Sequence, residues 1–243
     1  SFERVFEVLD LEPLLADAPD AVDVPEGPVT IEFDDVHFSY PSADKVSLAS
    51  LEEVAVLDSR GGQEVLHGIS FRADPGQMIA LVGSSGAGKS TIASLLPRLY
   101  DVDSGAVRVS GLDVRTVTSS SLRRAVGMVT QDGHLFHDTI RANLAFARPE
   151  VSDDEVWDAL RRARLEELVQ ALPDGLDTVI GDRGYRLSGG ERQRLTIARL
   201  LLASPSVVVL DEATSALDST NESAVQEALG EAMADRTSLV IAH

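Results

Sequence analysis

Residues 83–90, Gly83-Ser84-Ser85-Gly86-Ala87-Gly88-Lys89-Ser90, constrain this chain more than any other stretch. They match the pattern G-x-x-x-x-G-K-[ST]. They sit between the short apolar run Met78–Val82, read as a buried strand, and residues 91–99, which are apolar at helical spacing. Glycine lets the backbone wrap tightly enough to aim several N–H groups at one anion, and the helix behind adds the partial positive charge of its N-terminus. Phosphate is the anion this arrangement suits. Lys89 supplies a mobile cation for the β and γ phosphates of a nucleotide, and Thr91 continues the loop into the helix. The Ser90 hydroxyl is suited to ligate Mg²⁺, whose remaining shell is water and phosphate. The only lysines are Lys45 and Lys89, so the placement of one of them here weighs against a mere glycine-rich turn.

Val207-Val208-Val209-Leu210 brings Asp211 and Glu212 to the carboxyl end of a second buried strand, residues 206–210, where α/β sheets hold their ligands. Asp211 is suited to hold the metal through its water shell. Glu212 is suited to orient and polarise the water that attacks the γ phosphorus. A solvated acidic strand end is the ordinary reading of such a pair, and the phosphate loop upstream favours the catalytic one. Residues 221–233 read as a helix and 238–242 as a third strand, so strands alternate with helices as in a parallel α/β sheet.

Composition narrows the class further. With 40 acidic against 21 basic side chains in 243 residues the formal charge is −19. Such a charge repels nucleic acid and anionic lipid in general, so a phosphate site must be built from local geometry. No apolar run approaches the ~18 residues of a membrane span, and no signal peptide opens the sequence, so a soluble chain is expected. The lack of cysteine excludes disulfides and suits a reducing compartment. Residues 1–28 are acidic and broken by prolines. Phe2, Val5, Phe6, Leu9 and Leu11 form a helical stripe, and the remainder reads as an extended connector rather than core. Val29, Ile31 and Phe33, then Val36 and Phe38, alternate as a strand pair or a bent antiparallel strand. Residues 42–63 read as a polar insertion with a Gly61-Gly62 turn, after which 65–71 resumes strand character. Residues 152–172 read as one or two helices opened by Ser152, with Asp153, Asp154 and Glu155 at the positive helix end.

Leu187-Ser188-Gly189-Gly190-Glu191-Arg192-Gln193 precedes an apolar-periodic helix over 195–202. Ser188 and Glu191 have capping-box spacing, which alone explains the segment as a helix start. Lying between the phosphate loop and the Asp-Glu strand, it resembles the signature of the ATP-binding cassette family, and the resemblance extends over residues 29–243. That resemblance implies an α/β fold: a P-loop NTPase (RecA-like) core with a parallel sheet, an N-terminal antiparallel β subdomain, and an inserted α-helical subdomain at about residues 132–200. It also implies ATP and Mg²⁺ as ligands. The partner it implies is a second nucleotide-binding domain, identical or different, in a head-to-tail dimer that sandwiches two ATP molecules. Each lies between the phosphate loop of one subunit and Ser188, Gly189, Gly190 and Glu191 of the other. Without ATP the like charge of the isolated chain favours a monomer or a weak dimer.

By the same resemblance Tyr40 stacks on adenine and Gln131 senses the metal and the attacking water. Asp218 lies in a loop that meets the opposite subunit, and His243 contacts the γ phosphate. Residues 177–184, with Asp182 where exporters carry glutamate, resemble the loop that touches the membrane domain's intracellular helices. Residues 132–146 resemble the segment that receives a coupling helix, and residues 1–15 the helix descending from the last transmembrane span. The expectation is the nucleotide-binding domain of an exporter half. It is placed at the cytoplasmic face of the cell membrane, joined to an upstream transmembrane domain and truncated after His243. The alternative is a soluble cassette ATPase acting on nucleic acid or ribosomes. Acidity and the exporter-type loop oppose it, and no nucleic-acid partner is expected. Glu212 and the complete signature oppose a third reading, a switch that holds ATP without hydrolysing it.

Overall fold

Alternating apolar residues build two sheets, one on each side of the phosphate-loop helix. The computed structural model describes residues 15–41, 62–130, 133–181, 184–211 and 219–242. The expected helix in residues 1–14, the insertion over 42–61, and Gln131, Asp182, Glu212, Asp218 and His243 lie outside the described residues.

The first sheet is antiparallel. Strand β1 (Ile31–Ser39) pairs with β2 (Glu64–Ala73) on one side and β4 (Ser104–Val109) on the other, and β5 (Leu112–Asp113) pairs with β4. The alternation read over residues 29–38 is one bent strand rather than a pair. Its register shifts between Phe33 and Val36, with Asp35 at φ +48°. The bend brings β4 so close that a Cβ on Gly105 would lie 2.2 Å from the Asp35 carbonyl oxygen, so only glycine fits. Beyond β1 the Tyr40 carbonyl accepts a bond from the Gly62 N–H at 3.1 Å, so the 42–61 insertion leaves and rejoins the sheet at one place.

The second sheet runs β3 (Met78–Val82), β8 (Thr237–Ala242), β7 (Val207–Asp211), β6 (Val126–Val129), with every neighbouring pair parallel. Helix α1 (Lys89–Leu95) lies between the sheets. Its Ile92, Ala93 and Leu95 join Val207 and Val209 of β7 and Ile31, Phe33 and Phe38 of β1 in one core. Val208 and Leu210 point the other way, into a second core with α6 (Gly189–Ala203), α7 (Ser219–Met233) and the helices before them. Strand period two therefore assigns β7 to both cores, and each buried residue contributes about 1.5–3 kcal/mol relative to exposure.

Two sequence expectations need correction. Met78–Val82 is a strand but is not buried. Among the described residues it lies at one edge of its sheet, and Met78 and Val82 are 60% and 76% exposed while Ile79 and Leu81 pack inward. The helix read over 91–99 begins at Lys89 and stops at Leu95. Pro97 has no N–H to continue the ladder, and Arg98 turns at φ +54°. Between residues 101 and 130 the sequence reading assigned no elements. The structure places β4, β5, a helix α2 (Ser119–Ala125) and β6 there.

The connector is packed where it is described. Val22 forms a parallel bridge with Val117, Val24 is buried and its N–H donates to Ser121 Oγ, and the Asp17 carboxylate accepts from the Ser119 N–H at the start of α2. A bond from the Ser119 hydroxyl, with that from its N–H, holds the Asp17 carboxyl below its ordinary range.

The helical region comprises α3 (Ile140–Ala145), α4 (Asp153–Arg162), α5 (Glu166–Ala171) and α6. Residues 152–172 are thus two helices, opened by Ser152 in a full capping box with Glu155. Bonds from the Ser152 N–H and hydroxyl and from Arg148 bring the Glu155 carboxyl down to about 2. A carboxyl depressed by folding stabilises fully above its ordinary value and loses that contribution as pH falls through the folded value. Measured against the intrinsic rate at each pH, the protection of the α4 amides is therefore expected to fall as pH falls from about 4.5 towards about 2. Glu155→Gln should flatten that slope, and an equal slope in both proteins contradicts the cap.

Candidate nucleotide site

The phosphate loop begins where β3 ends. Residues 83–87 are exposed, Gly86 and Gly88 turn at φ +79° and +87°, and Gly88 caps α1. Gly88 has two reasons to be glycine, its left-handed backbone and a Cβ position only 2.7 Å from Leu66 Cδ2. Lys89 is 8% exposed, and its Nζ donates to the carbonyls of Gly83 at 2.8 Å and Ser84 at 3.0 Å. The cation is thus held across the open loop by neutral acceptors, which an incoming phosphate outcompetes as a charge-assisted partner.

Across the sheet, Ser90 Oγ donates to Asp211 Oδ1 at 3.3 Å, joining positions 121 residues apart. Both atoms are hard oxygens, so a Mg²⁺ held by the Ser90 hydroxyl would have the Asp211 carboxylate at hand to hold a water of its shell. Among the described residues no group of three or more His, Asp or Glu could hold a metal alone. The Ser90–Asp211 pair suits a metal that would take the rest of its shell from phosphate and water. Parallel pairing sets Val82 beside Ala242, Ile241 beside Asp211, and Leu210 beside Val129. The strands that lead in sequence to Gly83, Gln131, Glu212 and His243 thus all end at one sheet edge.

Tyr40 also reaches this region. Its hydroxyl bonds Thr91 Oγ1 at 2.9 Å, and its ring meets Phe38 and Tyr100 edge-on at 5.0 and 5.3 Å. The aromatic group therefore braces α1 directly behind the phosphate loop, a contact that Tyr40 alone does not reveal in sequence.

Ser188 caps α6 as expected. Its Oγ accepts from the Glu191 N–H at 3.3 Å while Glu191 Oε2 accepts from the Ser188 N–H at 2.7 Å, and a Cβ on Gly189 would meet nothing within 4 Å. Gly190 is buried. The helix packs in the core that holds Val208 and Leu210, whereas α1 packs with Val207 and Val209. The parallel sheet separates the two, and signature and phosphate loop are carried on its opposite faces.

In the segments 132–146 and 177–184 the described residues 133–146 and 177–181 meet in space. The Ile140 N–H donates to the Thr178 carbonyl at 3.0 Å, Thr139 bridges to Val179, and Arg141 bonds Asp153 and, at 3.0 Å, Asp177. Phe136 packs on Phe146 with ring centroids 4.7 Å apart, and with Val179 and Tyr185 these are exposed large apolar side chains. Tyr185 was not read from the sequence. Its bridge to Ile180, rather than any motif, brings it here.

A sequence profile of the ABC transporter family matches residues 66–215. The chain is 43% identical over 242 residues to an uncharacterised ABC transporter ATP-binding protein, YwjA, of Bacillus subtilis, covering 100% of this chain and 39% of that protein. It is 44% identical over 241 residues to ATP-binding cassette sub-family B member 6 of Homo sapiens, covering 99% and 26%. It is 41% identical over 243 residues to the ATP-dependent lipid A-core flippase of Desulfotalea psychrophila, covering 100% and 39%. A solved structure of a bacterial Atm1-family ABC exporter with ATP bound matches with TM-score 0.84 at 39% identity, over 100% of this chain and 39% of that chain. The chain thus spans less than half the length of these relatives.

Proposed function

Because the chain belongs to the ABC transporter family, we propose that it is the ATP-binding and ATP-hydrolysing domain of an exporter, with residues 29–243 as the domain and 1–28 as the connector from a membrane-spanning part upstream. The observation that carries this reading is the convergence of Lys89, Ser90 and Asp211 on one exposed loop, with Ser90 and Asp211 at 3.3 Å. The kinds of relative support an exporter over the soluble alternative, since those named by function are a flippase and an exporter. Among the described residues no helix is long and apolar enough to cross a membrane, which agrees with the crossing being made elsewhere. On this reading the domain works at the cytoplasmic membrane face, and the exposed patch of Phe136, Phe146, Val179 and Tyr185 meets the membrane part.

In the proposed cycle the loop amides of residues 83–88 and the Lys89 ammonium hold the β and γ phosphates, while Tyr40 stacks on adenine. Ser90, Gln131 and Asp211 would hold Mg²⁺, which when bound neutralises phosphate charge. Glu212 polarises a water that attacks the γ phosphorus as the β–γ bridging bond breaks. ADP leaves with the bridging oxygen and the water's proton ends on phosphate. His243 and the partner subunit's signature, equivalent to Ser188, Gly189, Gly190 and Glu191, complete the γ-phosphate shell, and Asp218 meets the facing subunit. The opposite-face placement of α1 and α6 supports a site completed by a second copy. Specific ATPase activity should therefore rise with chain concentration and vanish on chelating Mg²⁺. A specific activity that stays constant on dilution contradicts the dimer.

A further inference from the structure

Arg199 has no role in the cycle just described, yet its partly buried side chain joins the exposed patch to the signature helix through three hydrogen bonds. It lies on α6, and Nε donates to the Asn143 carbonyl at 2.9 Å, Nη2 to Asn143 Oδ1 at 2.9 Å, and Nη1 to the His134 carbonyl at 3.1 Å. Its guanidinium carbon also stands 5.7 Å from the Phe136 ring centroid. Every one of these hydrogen-bond partners is neutral, and burial pulls the guanidinium below its ordinary range. A partly buried cation among neutral acceptors is costly unless its donors are used, and the planar fork engages all three of its nitrogens at once, which a lysine cannot do.

Asn143, 1% exposed, passes the connection on. Its side chain accepts from the Phe136 N–H at 2.9 Å and donates to the carbonyls of Phe136 and Thr139, each at 3.0 Å. Lower on the same helix, a Cβ on Gly133 would lie 2.7 Å from Thr196 Oγ1, so the loop that follows β6 presses on α6 at a second level. Arg199 stands eleven residues, about 16 Å of helix, beyond Ser188.

We propose that Arg199 is a positioning residue that ties the Phe136–Phe146 surface to the helix carrying the signature, so that displacement of that surface moves Ser188 as part of one body. Resting on the exporter reading for its purpose, the tie itself is a property of the fold. It gives the proposed membrane contact a rigid route to the γ-phosphate receptor, which a flexible loop alone does not supply.

Hydrogen exchange on the Arg199→Lys chain tests the tie without requiring turnover. Exchange should rise roughly tenfold at the Phe136 and Asn143 amides, the change expected when one buried hydrogen bond is lost. It should rise in step at the Glu191 and Arg192 amides, which bond to Ser188, while the Ile92 amide of α1 keeps the parent rate. A rise confined to Phe136 and Asn143 overturns the proposal. So does a general rise, if Asn143→Ser, which opens the same joint from the other side, gives it too. Where the parent hydrolyses ATP, Arg199→Lys should lower kcat several-fold with KM for ATP held. A parent that binds ATP without turnover contradicts the function proposed above and leaves the exchange pattern to judge the tie.

Discussion

Replacing Glu212 by glutamine is expected to leave MgATP binding intact, to cut hydrolysis by roughly 10²–10⁴-fold, and to leave the chain as an ATP-held dimer. The amide keeps the size and one acceptor of the carboxylate but cannot take up charge as the attacking water is polarised. Glu212 directly follows β7, and Asp211 at the end of that strand already meets the phosphate-loop serine at 3.3 Å. The substitution therefore removes the step that destroys the bridging charge while preserving the groups that bind it. Sedimentation in MgATP should show a species twice the mass of the chain, and in MgADP the single chain. Parent-like turnover removes Glu212 from the mechanism.

Lys89→Ala acts earlier, on binding. Each hydrogen bond from a charged donor is worth about 1.5–3 kcal/mol, so losing the ammonium should weaken ATP by roughly 10–150-fold while adenosine affinity is unchanged. The fold should survive. Among the described residues Nζ bonds the Gly83 and Ser84 carbonyls of an exposed loop, which water can satisfy instead. Equal losses for ATP and adenosine contradict the assignment of Lys89 to the phosphates.

The phosphate loop was legible because its constraints are local. The left-handed turns of Gly86 and Gly88 and the lysine one step into the helix follow from a few adjacent residues. The Ser188–Glu191 capping box and the continuous buried apolar run of β7 were legible for the same reason. The exposure of β3 was not, because an apolar run of five residues carries no record of where its strand lies in the sheet order. Strands β4 and β5 escaped too. Their six and two residues depend on pairing with β1 and with each other, and Gly105 sits there for the bend at Asp35 rather than for a turn. Arg199 is the clearest case of a silent residue. Two of its three acceptors are backbone carbonyls, and an arginine on an apolar helix looks the same in sequence whether it reaches water or a buried asparagine. The bond between Ser90 and Asp211 was anticipated by role alone, since parallel pairing of β3, β8 and β7 brings these residues together across the chain.

Mixing two inactive variants tests most directly whether two copies build each site between them. Gly189→Asp places a carboxylate where the partner's γ phosphate is expected. The space is open, with nothing within 4 Å of the new Cβ, and an acid at a helix N-terminus does not harm the fold. Lys89→Ala and Gly189→Asp chains should each be nearly inactive alone. Mixed in equal amounts, they should recover MgATP hydrolysis, because a mixed dimer combines both lesions in one site and leaves the other intact. If each phosphate loop and signature served its own chain, every site in the mixture would carry a lesion, and activity would stay at the sum of the two variants measured apart.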